Sequence, residues 1–208
     1  MDISTQDRLL PGFEDAVHHA QQTFRTLLAA LAEPGTVGSL TLELETPPGL
    51  TLTAGATSLA LLDLETQVWL GSSDPSQLPD LRRWLQFHTG CRFTQAPQNA
   101  DFALVLDSAA LAPLSHFCPG LPEEPERSTT LILQIPSLEG GETALLSGPG
   151  IPTQRPVTPA VPKGFWSDWR QNHRRYPLGV DAYFACGSQI MGLPRSTHCA
   201  GENAPCPT

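Results

Sequence analysis

Basic residues are scarce in this chain. Lysine occurs once, at Lys163, and Lys and Arg together number 12 against 21 Asp and Glu, a formal charge of −9 over 208 residues. The positive block is Arg170, Arg174 and Arg175, too little for a surface that tracks nucleic-acid phosphates, so no nucleic-acid partner is expected. Long apolar runs are missing as well. No window approaches eighteen uncharged apolar residues, and "MDISTQDRLLPGFEDAVHH" at the N-terminus has no basic stretch leading into an apolar core. Neither a membrane span nor a secretory leader is expected, and the location implied is cytoplasmic. Cysteines number five, odd and scattered, which argues against a disulfide framework and for a reducing compartment.

Several chemical signatures are absent too. There is no G-x-x-x-x-G-K-[ST] phosphate loop, no third glycine after Gly148-x-Gly150, no C-x-x-C or H-E-x-x-H metal pattern and no G-x-S-x-G nucleophile elbow. His88 and Cys91 form an H-x-x-C pair, and His198, Cys199 and Cys206 a looser group. Neither supplies the four convergent ligands of a structural zinc, so no metal is expected. His88 reads as a capping or hydrogen-bonding residue near a helix end, and Cys186 as a small buried hydrophobe.

What is present is a globular composition, 40% apolar and 16% charged, with 21 Pro and 17 Gly that imply many loops. The length favours one domain, residues 1–208, with 199–208 as a flexible tail. Over residues 15–33, Ala16, Val17, Ala20, Phe24, Leu27, Leu28 and Leu31 recur at the spacing of one helix face, and Pro34-Gly35 closes the run. "TVGSLTLEL" reads as a strand, "ATSLALLDLE" (residues 56–65) as a helix buried through its leucines, and "TQVWLG" as a strand. Asp74-Pro75 opens a helix with Leu78, Leu81, Trp84 and Leu85 inward, ending near Gly90. "DFALVLD", "TTLILQI" and "ETALLSG" read as sheet strands, the last two joined as a hairpin through Gly140-Gly141. Proline-rich residues 119–125 and 149–162 read as connectors. "FWSDWRQNHRRYP" reads as a helix stopped by Pro177, and "GVDAYFACG" and "QIMGLP" follow as strands. The sum is a single α/β domain with a mixed sheet flanked by helices.

The stretch "LLSGPGIPTQR" has the glycines of an anion cradle, Gly148 and Gly150 after Ser147, but Pro149 and Pro152 remove donors from it. A tight bend after a strand is the stronger reading of that window. Arg195, Ser196 and His198 in "LPRSTH" are the other anion candidates, since a guanidinium takes a phosphonate or triphosphate oxygen bidentately. An Arg paired with a carboxylate, or a contact with a partner subunit, is the stronger alternative there. "WRQNHRRYP" reads as a docking face in the same comparison.

The stretches "AQQTFRTLLAALAEPGTV", "FHTG", "TTLILQIPSLEGGETALLSGPGI" and "RRYPLGVDAYFACGSQIMGLPRSTH" resemble, in order and spacing, the PhnH subunit of the bacterial carbon-phosphorus lyase system, over about residues 20–198. The tail "CAGENAPCPT" departs from that pattern. The resemblance implies a cytoplasmic role in alkylphosphonate use, a core assembly with the G, I and J subunits, and a homodimer when isolated. In that system the G, H and I subunits support attachment of a phosphonate to the ribose of ATP with loss of adenine, giving ribose 1-methylphosphonate 5-triphosphate. The J subunit, an iron-sulfur radical protein, then breaks the carbon-phosphorus bond. The fold implied is a reduced form of the pyridoxal-phosphate-dependent transferase fold without its cofactor. Lys163 in "VPKGFW" fits that loss: a Schiff base needs a lysine at a pocket, and this one sits in a proline-flanked connector. No cofactor and no catalytic residue are expected, which makes the chain an accessory subunit. The alternative is an independent phosphate- or nucleotide-binding enzyme using the SGPG turn with Arg195 and His198.

Overall fold

A computed structural model describes residues 9–201. Seven strands make the main sheet: β1 (Val37–Ser39), β2 (Gln67–Gly71), β3 (Arg92–Thr94), β4 (Phe102–Val105), β5 (Thr130–Gln134), β8 (Asp181–Cys186) and β9 (Gln189–Leu193). Their order is β1-β9-β8-β5-β4-β2-β3. The block from β8 to β3 is parallel, while β9 and β1 are added antiparallel. A three-stranded antiparallel sheet of β6 (Ala144–Ser147), β7 (Arg155–Val157) and β10 (His198–Gly201) lies apart from it in the order β10-β6-β7.

The alternation of strand side chains sorts these parts into layers. Leu131, Leu133, Ala182 and Phe184 face one side, where they join Ala144, Leu146, Val157 and Cys199 of the small sheet and Phe165, Trp166 and Trp169 of α4 (Phe165–His173). Ile132 and Ala185 face the other side, against Ala54 of α2 (Leu52–Leu61) and Leu81, Trp84 and Leu85 of α3 (Leu78–Thr89). Tyr183 and Ile190, also on that side, pack against Leu27 and Ala30 of α1 (Ala16–Ala32). The chain is thus one α/β domain with a mixed sheet between three helices and a small sheet carrying the fourth helix.

Local signals account for most boundaries. Asp15 caps α1 by accepting from the Val17 and His18 amides, and Glu33 ends it. Gly90 closes α3 in the left-handed region at φ 73°. A 3-10 turn, Pro75–Gln77, precedes α3, so the helix expected from Asp74-Pro75 begins at Leu78. Two glycines let α1 lie close on the sheet. A Cβ at Gly38 would stand 2.8 Å from Thr26 Cγ2, and one at Gly192 would stand 2.5 Å from the Ala30 carbonyl carbon.

Several expectations need correction. The hairpin through Gly140-Gly141 does not form: both edges of β5 are taken by the parallel neighbours β4 and β8, so β6 pairs with β7 and β10 instead. The strand in "TVGSLTLEL" stops at Ser39. The second helix starts at Leu52, not residue 56, and buries the small residues 53–58 rather than its leucines, because α1 crosses close to it. The proline-rich connector 149–162 contains β7. Residues 199–201, expected to open a flexible tail, belong to β10, where Cys199 is fully buried; the rest of that stretch, residues 202–208 with Cys206 among them, lies outside the described residues. In α1 the apolar residues divide between two faces. Leu27 and Ala30 are buried, whereas Val17, Phe24 and Leu28 are 76%, 50% and 57% exposed.

Candidate functional site

Open sheets of this kind bind ligands outside the carboxyl ends of the parallel strands, where the chain leaves neighbouring strands in opposite directions. Here that point lies between β2, which leads on to β3, and β4, which leads on to β5 on the other side. The protein's own groups fill it. The Asp107 carboxylate accepts from the amides of Ser73 (2.8 Å), Ala109 (3.1 Å) and Ala110 (3.2 Å). One strand along, the buried Gln134 side chain accepts from the Thr51 amide (2.6 Å) and donates to the Gly49 and Leu106 carbonyls (2.8 Å each). Gln134 thereby binds residues 49–51, the approach to α2, across the strand ends. The backbone donors that would cradle a ligand anion at this edge already hold a carboxylate.

The anion candidates lie elsewhere, at the small sheet. Ser147 ends β6 and faces His198 of β10 in the strand register. The bend after it is closed by the Ile151 amide donating to the Gly148 carbonyl at 3.1 Å. Both of its glycines have positive φ, 130° at Gly148 and 79° at Gly150. A Cβ at Gly148 would stand 3.1 Å from the Ser196 carbonyl oxygen, and one at Gly150 would stand 3.0 Å from Pro34. The turn therefore packs between the 196–198 segment and the end of α1, so Ser147, Gly148, Ser196 and His198 are neighbours.

Arg195 is close by in sequence but engaged by other groups. Its Nε donates to both Asp181 carboxylate oxygens at 3.1 Å, its Nη2 pairs with Asp181 Oδ2, and its Nη1 donates to the Pro125 carbonyl. The Arg195 amide adds a bond to Asp181 Oδ1 at 2.7 Å. Both side chains of the pair are only about one-sixth exposed, at 15% and 16%.

Periodicity did not single out the side chains that surround His198. Helix α4 is fixed to the 194–198 loop by Trp169, whose Nε1 donates to the Thr197 carbonyl at 3.0 Å, and by His173, whose Nδ1 donates to the Arg195 carbonyl at 3.1 Å. The His173 and His198 rings meet edge to face with centroids 5.4 Å apart. Partial desolvation, with the charges of His173 and Arg170, lowers the His198 pKa from its usual value. Burial pushes the Cys199 thiol up to about 11. A sequence signal existed in "WRQNH", which sets Arg170 and His173 three residues apart on one helix face.

Other expected residues are dispersed. His88 Nε2 bonds the Leu10 carbonyl at 2.9 Å, which ties residues 10–11 to α3 together with Trp84 Nε1 at the Pro11 carbonyl. Cys186 is half-buried, not buried, with Sγ 3.5 Å from the Pro136 carbonyl. Lys163 is exposed, next to Gly164 at the start of α4. Lys163→Ala is therefore expected to change stability by no more than about 0.5 kcal/mol in chemical denaturation. A hollow of about 230 Å³ between α4 and the 114–116 turn is lined by Leu114, Ser115, Asp168, Gln171, Asn172 and Arg175, and includes none of the anion candidates. Among the described residues no helix is long and apolar enough to cross a membrane.

Comparison with known proteins gives the chain a family. The family model "Bacterial phosphonate metabolism protein (PhnH)" matches residues 11–200. The chain is 34% identical over 198 residues to "Alpha-D-ribose 1-methylphosphonate 5-triphosphate synthase subunit PhnH" of Rhizobium meliloti, covering 94% of this chain and 98% of that protein. It is 29% identical over 184 residues to "Putative C-P lyase subunit protein HtxG" of Stutzerimonas stutzeri, covering 86% and 84% respectively. With a full-length relative and a match across the whole described fold, this chain belongs to the PhnH family of bacterial phosphonate metabolism proteins.

Proposed function

We propose that the protein is an accessory subunit of a carbon-phosphorus lyase assembly. In this reading it supports, with the G and I subunits, formation of ribose 1-methylphosphonate 5-triphosphate from ATP and methylphosphonate, and it shares a cytoplasmic core complex with the J subunit. The relatives' printed roles as subunits support the assembly. The observation that carries the accessory role is the exposed apolar stripe of α1, Val17, Phe24 and Leu28. A stripe of large apolar side chains on one helix face is an interaction surface before it is anything else. The filled strand ends support a role without a resident cofactor. Asp107 and Gln134 occupy the carboxyl ends of the parallel strands, where an open sheet would receive a ligand, and Lys163 lies in the connector before α4.

In the isolated protein the same stripe covers itself by pairing with a second copy. Phe24→Asp is expected to convert a dimer to a monomer in light scattering while leaving the far-UV spectrum unchanged, because Phe24 faces away from the core. The functional test is complementation. In cells lacking their own PhnH, this protein should restore growth on methylphosphonate as phosphorus source, and a folded Phe24→Asp, Leu28→Asp variant should not. Growth with the double variant would refute the proposed surface.

A further inference from the structure

We propose that Arg170, His173 and His198, with the Ser147 hydroxyl, form a subsite for a tetrahedral oxyanion, a phosphate or phosphonate group. Three groups able to carry positive charge converge here from different elements: Arg170 and His173 from α4, and His198 from β10. Arg170 and His173 stand one turn apart, and the His173 ring touches the His198 ring. Ser147 faces His198 across the β6–β10 ladder, which places the two side chains on the same surface of the small sheet.

The neighbouring carboxylates do not neutralise this group. Asp181 is taken by Arg195, and Arg170 makes no ion pair among the described residues. Glu142 acts on Cys199 from a distance; Arg170 itself shares a side-chain hydrogen bond with Cys199, whose thiol burial keeps neutral, so that contact does not cancel the guanidinium's charge. In the ligand-free protein desolvation and the charges of His173 and Arg170 disfavour the charged form of His198, and a bound oxyanion would supply the charge that reverses this. The chemistry selects the ligand class. With Nδ1 of His173 committed to the Arg195 carbonyl, Nε2 is the ring nitrogen left to meet a ligand. The guanidinium, the two imidazoles and the hydroxyl come from one helix and two strands, and the two rings stand 73° apart, so the groups do not share one plane. That arrangement suits a tetrahedral dianion better than a flat carboxylate.

Arg195 has no part in this subsite, since its donors are held by Asp181 and Pro125. The inference is also independent of the assembly proposed above. A protein that assembles but binds no phosphate loses this inference alone, and one that binds phosphate without assembling loses only the other.

The test is imidazole NMR titration of the isolated full chain with inorganic phosphate, against sodium chloride at matched ionic strength. A bound dianion favours the protonated ring, so the apparent pKa of His198 should rise by about one unit, a tenfold preference for the charged form, and the His173 ring signals should respond to phosphate with it. His88, tied to Leu10 at the far end of α3, should not move. Arg170→Gln, which keeps length and polarity, should reduce the rise severalfold while the amide spectrum stays native. Titration curves that coincide with and without phosphate would overturn the subsite, as would an equal shift from chloride or an undiminished shift in Arg170→Gln.

Discussion

Arg195→Ala is expected to destabilise the fold by about 2–4 kcal/mol, which for a domain of this size lowers Tm by roughly 5–15 °C. The side chain removed is mostly buried and makes bonds to Asp181 and to the Pro125 carbonyl. Alanine would leave the Asp181 carboxylate with a single backbone donor, the Arg195 amide. A half-dismantled buried pair costs more than the pair contributes, because the orphaned charge keeps its desolvation penalty. The pairing also holds residues 125–127 and the β8–β9 end together, so loss of the guanidinium should loosen the 119–128 segment first. Arg195→Met with Asp181→Leu should recover much of the loss, since both charges are then gone. If Arg195 instead held the substrate, the single variant would melt like the parent. The assembled enzyme would then lose about ten- to a hundredfold in kcat/KM. Thermal melts of both variants separate the two outcomes.

Gly192→Ala should cost about 3 kcal/mol, at the upper end for one added methyl group. The new Cβ would meet backbone rather than a movable side chain, with the Ala30 carbonyl carbon at 2.5 Å and the Leu31 nitrogen at 2.8 Å. Helix α1 must then lift from β9, which opens the contacts of Leu27 and Ala30 with Tyr183 and Ile190. The same shift moves the exposed Val17, Phe24 and Leu28, so self-association should weaken together with stability. An unchanged melting curve would show that α1 does not rest on Gly192 as described.

These two sites show which parts of the fold local sequence can reveal. The helix over residues 15–33 and the strands around Val68, Leu104 and Ile132 followed from periodicity and breakers, because burial on one face imprints on neighbouring residues. The Arg195–Asp181 pair was also within reach. A hairpin turning at Gly187-Ser188 aligns Ala182 with Leu193 and so brings residue 181 beside 195. The small sheet was not, because its strands β6, β7 and β10 come from distant parts of the chain, and an apolar run does not state its partner. Gly140-Gly141 looked like a hairpin for that reason; the competition for the edges of β5 is invisible locally. The two faces of α1 share one apolar vocabulary, so spacing alone did not divide the residues that meet the sheet from those left exposed. The Arg170, His173 and His198 cluster needed α4 docked on the 194–198 loop by Trp169, a contact across 28 residues.

The most direct measurement of the central claim is co-expression with the G, I and J subunits of a carbon-phosphorus lyase system, followed by affinity capture on the G subunit and size-exclusion chromatography. The wild-type chain should elute in one stoichiometric complex. The Phe24→Asp, Leu28→Asp variant, folded by its spectrum and melting point, should be lost from that complex. A wild-type chain that elutes alone while the other three subunits assemble would contradict the account.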